Sequence, residues 1–240
     1  MQIVVKETRE EAQKEVANII ASLVKEKSDA VIGLAGGRTM KGVFEELVSE
    51  QKENGTDYSG VETLLVDEYV GLLETDLYRT FSFQIEEELT NKIKFKASYA
   101  PKYYTNHPDK EAKRYQELYL SKNPDLQILG LGQNGHIAFN EPKTPLDSEA
   151  HVARLSSLTR VAHSDMFNNK VDIVPTHAIT LGLKDILTAK KIVLIACGVT
   201  KQAAIKALVL GDVSPELPVS VLKKHPDCII VLDKEAAKLL

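Results

Sequence analysis

Ala30-Val31-Ile32-Gly33-Leu34-Ala35-Gly36-Gly37-Arg38-Thr39 runs from a continuous apolar segment straight into a glycine turn. Val43, Phe44 and Leu47 then follow at helical spacing. A strand apolar on both faces, a tight turn and an amphipathic helix make half of a βαβ unit, the kind found in parallel sheets covered on both sides. The pattern recurs outward in both directions. Upstream, residues 2–5 read as a strand. Thr8-x-x-Glu11 then reads as a capping box, before a helical face of Ala12, Val16, Ile19, Ile20 and Leu23. Downstream, residues 63–66, 126–129, 192–196 and 228–232 read as further strands, and residues 200–209 as a helix. This alternation predicts an α/β fold: an open, mostly parallel sheet with helices on both faces and Rossmann-like winding, in a single domain over residues 1–240. Ligands of such sheets bind beyond the carboxyl ends of the strands. Attention therefore falls on the segments after Leu34, Val66, Leu129 and Ala196.

Composition narrows the class of function. The chain has 240 residues, 43% hydrophobic and 27% charged, which excludes a wholly disordered or collagen-like chain. No apolar run reaches the ~18 residues of a membrane span. The opening MQIVVKETREE lacks a basic segment followed by a long apolar one, so no secretory signal is expected. Net charge is −4 with no basic block, so neither nucleic acid nor a membrane surface is expected as partner. A small anion needs only a local cluster of donors. Cys197 and Cys228 stand far apart, outside any Cys-x-x-Cys pattern, and read as buried reduced thiols, which suits a cytoplasmic protein. His163, His177 and His225 show no metal-ligand spacing, so neither metal nor cofactor is expected, and each reads as a structural histidine or a group behind the site. Asn54-Gly55-Thr56 reads as a turn.

Four segments carry possible chemistry. Gly36-Gly37-Arg38-Thr39 opens a helix, whose free N–H groups and positive dipole end suit a phosphate. A plain strand-to-helix turn has the same residues, and the Gly-Lys-Ser/Thr spacing of a Walker loop is missing. Asp67-Glu68-Tyr69 places two carboxylates at a strand end. Successive side chains diverge there, giving them separate tasks; a solvated turn or helix cap is the plainer alternative. Gly130-Leu131-Gly132-Gln133-Asn134-Gly135-His136 satisfies the dinucleotide fingerprint. That reading fails because Pro142 and Pro145 break any following helix, and no strand with a terminal acid follows. The glycines instead bend the chain so that Asn134, His136 and Glu141 converge, with the carboxylate orienting the imidazole. Gly198-Val199-Thr200-Lys201 again opens a helix, and Lys201 would bring an ammonium beside an anion.

Together these segments resemble the glucosamine-6-phosphate deaminase (isomerase) family. The likeness is carried by Val66-Asp67-Glu68-Tyr69-Val70-Gly71-Leu72 and by Gly132-Gln133-Asn134-Gly135-His136-Ile137-Ala138-Phe139-Asn140-Glu141-Pro142. It extends to Thr159-Arg160, Ala178-Ile179-Thr180-Leu181-Gly182, Gly198 with Lys201, and His225-Pro226, in family order across nearly the whole chain. The resemblance implies an amino-sugar 6-phosphate substrate, converted to a ketose 6-phosphate with release of ammonia. It implies Asp67 as the base between C2 and C1, and His136 as the ring opener assisted by Glu141 and Asn134. Gly36, Gly37, Arg38, Thr39 and Lys201 would hold the phosphate. The family includes monomers and homo-oligomers. Some members have Asp at the position of Asn134. The family's phosphate-gripping Arg is replaced by Asp165, and a usual Ser by Arg38, so Arg38 is expected to supply the missing charge. Thr180-Leu181-Gly182-Leu183-Lys184-Asp185-Ile186-Leu187 looks more like the galactosamine-6-phosphate isomerase branch, which leaves the C4 epimer open. A lactonase on the same fold shares the glycine loop, and a sugar-phosphate sensor domain shares the winding. The acid and imidazole motifs speak against the first. The lack of a helix-turn-helix segment speaks against the second.

Overall fold

The apolar run at Val31–Leu34 becomes an interior strand of a seven-stranded parallel sheet. The computed structural model describes residues 1–240. In chain order its elements are β1 (Gln2–Lys6), α1 (Arg9–Glu26), β2 (Val31–Leu34), α2 (Arg38–Asn54), β3 (Glu62–Leu65), β4 (Asp67–Val70), α3 (Phe81–Ile85), β5 (Ala97–Tyr99), α4 (Pro108–Lys122), β6 (Leu126–Gly130), β7 (His151–Arg154), α5 (Ser157–Ala162), β8 (His177–Thr180), α6 (Leu183–Ile186), β9 (Lys191–Ala196), α7 (Gln202–Leu210) and β10 (Cys228–Asp233). The main sheet runs β1-β10-β9-β6-β2-β3-β5. Every pairing in it is parallel. The open, mostly parallel sheet read from the apolar runs is therefore present.

Strand order decides where a ligand binds. From β2 the chain winds outward through β3 to β5. From β6 it winds the other way through β9 and β10. Strands β2 and β6 lie side by side, with Ile32 opposite Leu126, so the winding reverses between them. A crevice opens at such a reversal.

Three features depart from the sequence reading. The first is a separate antiparallel sheet, β4-β8-β7. Asp67 does not end the preceding strand; it begins β4. The change happens at Val66, whose N–H still bonds Leu34 in the main sheet while its carbonyl accepts from Leu181 beside the small one. The second is the short edge strand β5, which carries too few residues to show a period. The third lies at the start of the predicted 200–209 helix. Val199–Lys201 form a 3-10 turn, and the α-helix begins at Gln202.

Local signals explain the rest. The Thr8 hydroxyl accepts from the Glu11 N–H at 3.1 Å, as a capping box requires. The Glu11 carboxylate reaches one residue further back than expected, to the Glu7 N–H at 3.0 Å. Gly55 closes α2 in the left-handed region at φ 67°, the turn expected of Asn54-Gly55-Thr56. Both cysteines are buried free thiols. One contiguous core of 59 buried residues includes Val66, Tyr69 and Ala178, so the small sheet packs on the same core as the large one. No helix is long and apolar enough to cross a membrane.

Candidate active site

A cavity of about 690 Å³ lies over the carboxyl ends of the strands. The predicted residues in its wall come from segments that follow strands. Gly36, Gly37, Arg38 and Thr39 follow β2; Asp67 follows β3; Asn134 and His136 follow β6; Lys201 follows β9. Glu141 alone among the predicted residues is absent from the wall, and it stands directly behind it. No three His, Cys, Asp or Glu side chains converge as metal ligands.

The acid pair divides as the pleat requires. Asp67 faces the cavity although only 5% exposed. Burial pushes its carboxyl well above the ordinary range, and the neighbouring Glu68 charge adds to this with no hydrogen bond to offset it. Glu68 points the other way and is wholly buried. It accepts from the Tyr69 N–H at 2.8 Å, the Phe81 N–H at 3.1 Å and the Ser82 N–H at 2.8 Å. Burial raises it to about 7, while the N–H groups pull against that rise. Glu68 thus anchors the start of α3, and Asp67 is left as the buried carboxylate that faces the cavity.

The imidazole is held through an amide. Asn134 Nδ2 donates to Glu141 Oε2 at 2.7 Å, and Asn134 Oδ1 lies 2.7 Å from His136 Nδ1. A carboxylate only accepts, so the amide's nitrogen must face Glu141 and its oxygen must face His136. An amide oxygen also only accepts, so His136 carries its hydrogen on Nδ1 and keeps Nε2 as the acceptor. Glu141 Oε2 also lies 3.7 Å from His136 Nδ1, so the amide runs alongside the pair and bonds both members, and the three side chains converge. Glu141 also accepts from the Thr159 hydroxyl at 2.5 Å and the Ser156 N–H at 3.1 Å. Burial would raise its carboxyl, but His136 and these donors outweigh that and hold it at about 2. One glycine of this loop serves the ring. A Cβ at Gly132 would stand 2.3–2.4 Å from three imidazole atoms. Only glycine lets the imidazole lie against that backbone.

The glycine loop after β2 differs from a simple phosphate cradle. The Gly37 N–H is already committed to Gln84 Oε1 at 2.9 Å, and Gln84 Nε2 returns a bond to the Gly37 carbonyl at 3.3 Å. A Cβ at Gly36 would strike the Phe81 ring at 2.3 Å, so this glycine permits close packing of α3. Arg38 lies at the mouth with its side chain 72% exposed, 3.6 Å from Asp165. Its expected role as a free replacement charge is thus shared with a carboxylate. Lys201 lies deeper. Burial lowers its ammonium to about 8, and the Arg38 charge adds to the shift.

Several wall residues escaped the sequence reading. Arg9 lines the cavity. It follows β1, so the rule about strand ends extends to it. Gln84, Glu87 and Glu88 line it from α3 and the turn beyond, where no motif marks them. His163, read as structural, forms part of the wall, with its Nδ1 2.6 Å from the Tyr69 hydroxyl. Burial, then the charge of His136, lowers it to about 4, so it stays neutral. Arg160 turns away from the cavity and bonds the carbonyls of Val171 at 2.7 Å and Val174 at 3.0 Å.

Residues 5–230 match the family model described as glucosamine-6-phosphate isomerases/6-phosphogluconolactonase. The chain belongs to this family. Within it, the glucosamine-6-phosphate deaminase of Bacillus cytotoxicus is 38% identical over 239 residues, covering 100% of this chain and 89% of that protein. A Bacillus cereus glucosamine-6-phosphate deaminase matches at the same identity and coverage. A solved structure of a monomeric glucosamine-6-phosphate deaminase superposes with a TM-score of 0.96 at 34% identity over 100% of both chains. The 6-phosphogluconolactonase of Trypanosoma cruzi superposes at 0.75 with 19% identity, covering 100% of this chain and 96% of that one, a likeness of fold alone.

Proposed function

We propose that residues 1–240 act as one catalytic unit that converts glucosamine 6-phosphate and water to fructose 6-phosphate and ammonia. The observation that carries this is a single cavity lined by a buried carboxylate, a tautomer-fixed imidazole and a group of cations. An aldose–ketose shift needs a base beside C2 and a group that moves protons on the ring and C1 oxygens. It needs no electron carrier and no metal.

In this reading the phosphate lies toward Arg38, Thr39 and Lys201, and the reacting carbons toward Asp67. His136 takes the hydroxyl proton from C1 at Nε2 and returns a proton to the ring oxygen, which opens the pyranose. The imidazolium formed on the way is stabilised through Asn134 by the Glu141 carboxylate, as a buried acid stabilises a catalytic histidine elsewhere. Asp67 removes the C2 proton while the C1 carbonyl oxygen takes up a proton from the substrate's own ammonium group, giving an enolamine, and Asp67 then delivers its proton to C1. The enolamine becomes a ketimine at C2. Water adds to that carbon, the C–N bond breaks and ammonia leaves. Burial of Asp67 suits this work, since a raised pKa brings a carboxylate nearer the strength a carbon acid demands.

Every group invoked comes from one chain, so the chemistry needs no second copy. Two buried free thiols support a cytoplasmic place of action. The test is ammonia release measured in parallel on glucosamine 6-phosphate and galactosamine 6-phosphate, with 6-phosphogluconolactone hydrolysis as a third arm. Ammonia from the glucosamine substrate is expected. Preference for the galacto epimer would reassign the sugar. Lactone hydrolysis without ammonia release would overturn the reaction, and tight binding without turnover would make the chain a sensor.

A further inference from the structure

Three helices begin around one end of the cavity, and each brings a cation. Arg9 is the first residue of α1 and Arg38 the first of α2, while Lys201 immediately precedes α7. All three line the cavity. A positive charge at a helix N-terminus is unfavourable by itself, because the helix dipole already presents its positive end there. Three such charges close together are stable when an anion lies among them. Arg38 has a partial partner in Asp165 at 3.6 Å. Arg9 and Lys201 enter no ion pair in the molecule, although exposed cations elsewhere do.

The position of Arg9 is specific. A Cβ built at Gly198 would lie 3.2 Å from Arg9 Nη2, so the guanidinium rests over the turn that leads into Lys201. Gly198 has φ 87°, and its N–H is bound to both Asp233 oxygens at 2.9 Å, which fixes the turn beneath the guanidinium. Arg9 also contributes, after burial and Arg38, to the lowered pKa of Lys201, which places the two charges within mutual reach.

We propose that Arg9 binds the phosphoryl group of the substrate as the third cation of a site shared with Lys201 and Arg38. The proposal rests on reading the cavity as a sugar-phosphate site. A guanidinium fork offers two parallel N–H bonds to phosphoryl oxygens, which an ammonium cannot match. The deep ammonium of Lys201 neutralises one charge of the dianion. Arg9 neutralises the second from the α1 side. Arg38, held by Asp165, guards the mouth.

Arg9→Gln tests this, with Arg154→Gln on β7 as a control distant from the cavity. Arg9 is exposed, and no hydrogen bond ties it to the fold, so the variant is expected to fold. Expected in Arg9→Gln are a KM raised about tenfold, a Ki for inorganic phosphate raised by a similar factor, and kcat within about twofold of wild type. The control should match wild type on all three. Unchanged KM and Ki would overturn the proposal. A lower kcat or melting temperature with unchanged phosphate Ki would also overturn it, by making Arg9 structural. Calorimetry with inorganic phosphate separates this proposal from the assigned reaction. A wild type that releases no ammonia but binds phosphate in an Arg9-dependent way refutes the reaction and keeps the site. A wild type that binds no phosphate refutes the site.

Discussion

Replacing Glu141 by Gln keeps the size of the side chain and removes one acceptor. The carboxylate serves Asn134 Nδ2 at 2.7 Å, the Thr159 hydroxyl at 2.5 Å and the Ser156 N–H at 3.1 Å. A glutamine has a single acceptor oxygen, so its NH₂ must face one of these donors. Asn134 is the one free to rotate. Once rotated, it turns its own NH₂ toward His136 and stabilises the tautomer with hydrogen on Nε2, the wrong one for accepting a proton. Two charge-assisted bonds at roughly 1.5 kcal/mol each put about 3 kcal/mol on the barrier. That is roughly a hundredfold in kcat, with KM changed only a few-fold. Steady-state ammonia release on both proteins measures it. A kcat within threefold of wild type would refute the relay. Stability gives a second readout. The Glu141 carboxyl falls from an ordinary 4.5 to about 2 on folding. A depressed folded value gives stability that is present above 4.5 and lost as pH falls through about 2, worth about 3 kcal/mol. Chemical denaturation between pH 5 and pH 2 should show this loss in wild type and not in Glu141→Gln. An identical acid limb in both proteins would remove Glu141 as its source.

Asp67→Asn should abolish turnover while substrate binding, followed by calorimetry, stays within a few-fold of wild type; appreciable activity would free Asp67 from its role. Because the Asp67 carboxyl is raised by burial, kcat/KM should climb with pH as that proton is lost, and this limb should vanish from the residual activity of Asp67→Asn. The Lys201 ammonium, lowered to about 8, should lose its charge above that pH, so KM for the phosphorylated sugar should rise in alkaline buffer. A KM flat to pH 10 would contradict this. Gly132→Ala should displace the imidazole, since the new methyl carbon would stand 2.3 Å from the ring, and should cut kcat at least a hundredfold with the fold intact by circular dichroism. Wild-type activity in that variant would mean the ring has room to spare.

The sequence disclosed the scaffold where physics left a local trace. Residues buried on both faces of a parallel strand are apolar without interruption, so β2, β6, β9 and β10 could be read directly. Strands β4, β7 and β8 carry four residues each and mix polar with apolar types, and no period emerges from so short a run. The nine proposed site residues were found because each stands after a strand or a glycine turn. What connects them was hidden. Nothing in the order Asn134, His136, Glu141 says that the amide bonds both of the other two. The pairing of Arg38 with Asp165 spans distant segments, and no local rule reports it. Arg9 went unseen because β1 has a polar start and no fully buried residue, so its carboxyl end drew no notice. Gly36 lines the cavity and also admits Phe81, a second demand that the sequence does not show.

Glu68 ties three backbone amides, and the segment it secures carries Gln84, which clasps Gly37. The Asp67 end of the cavity and the glycine turn at its other end are therefore wired to one hidden residue. A change at Glu68 would disturb both ends together. Arg38 and Asp165 sit outside that wiring, on the rim. Divergence in what the enzyme accepts has its cheapest route there, where charges can be exchanged in pairs without loosening the buried carboxylates and the imidazole.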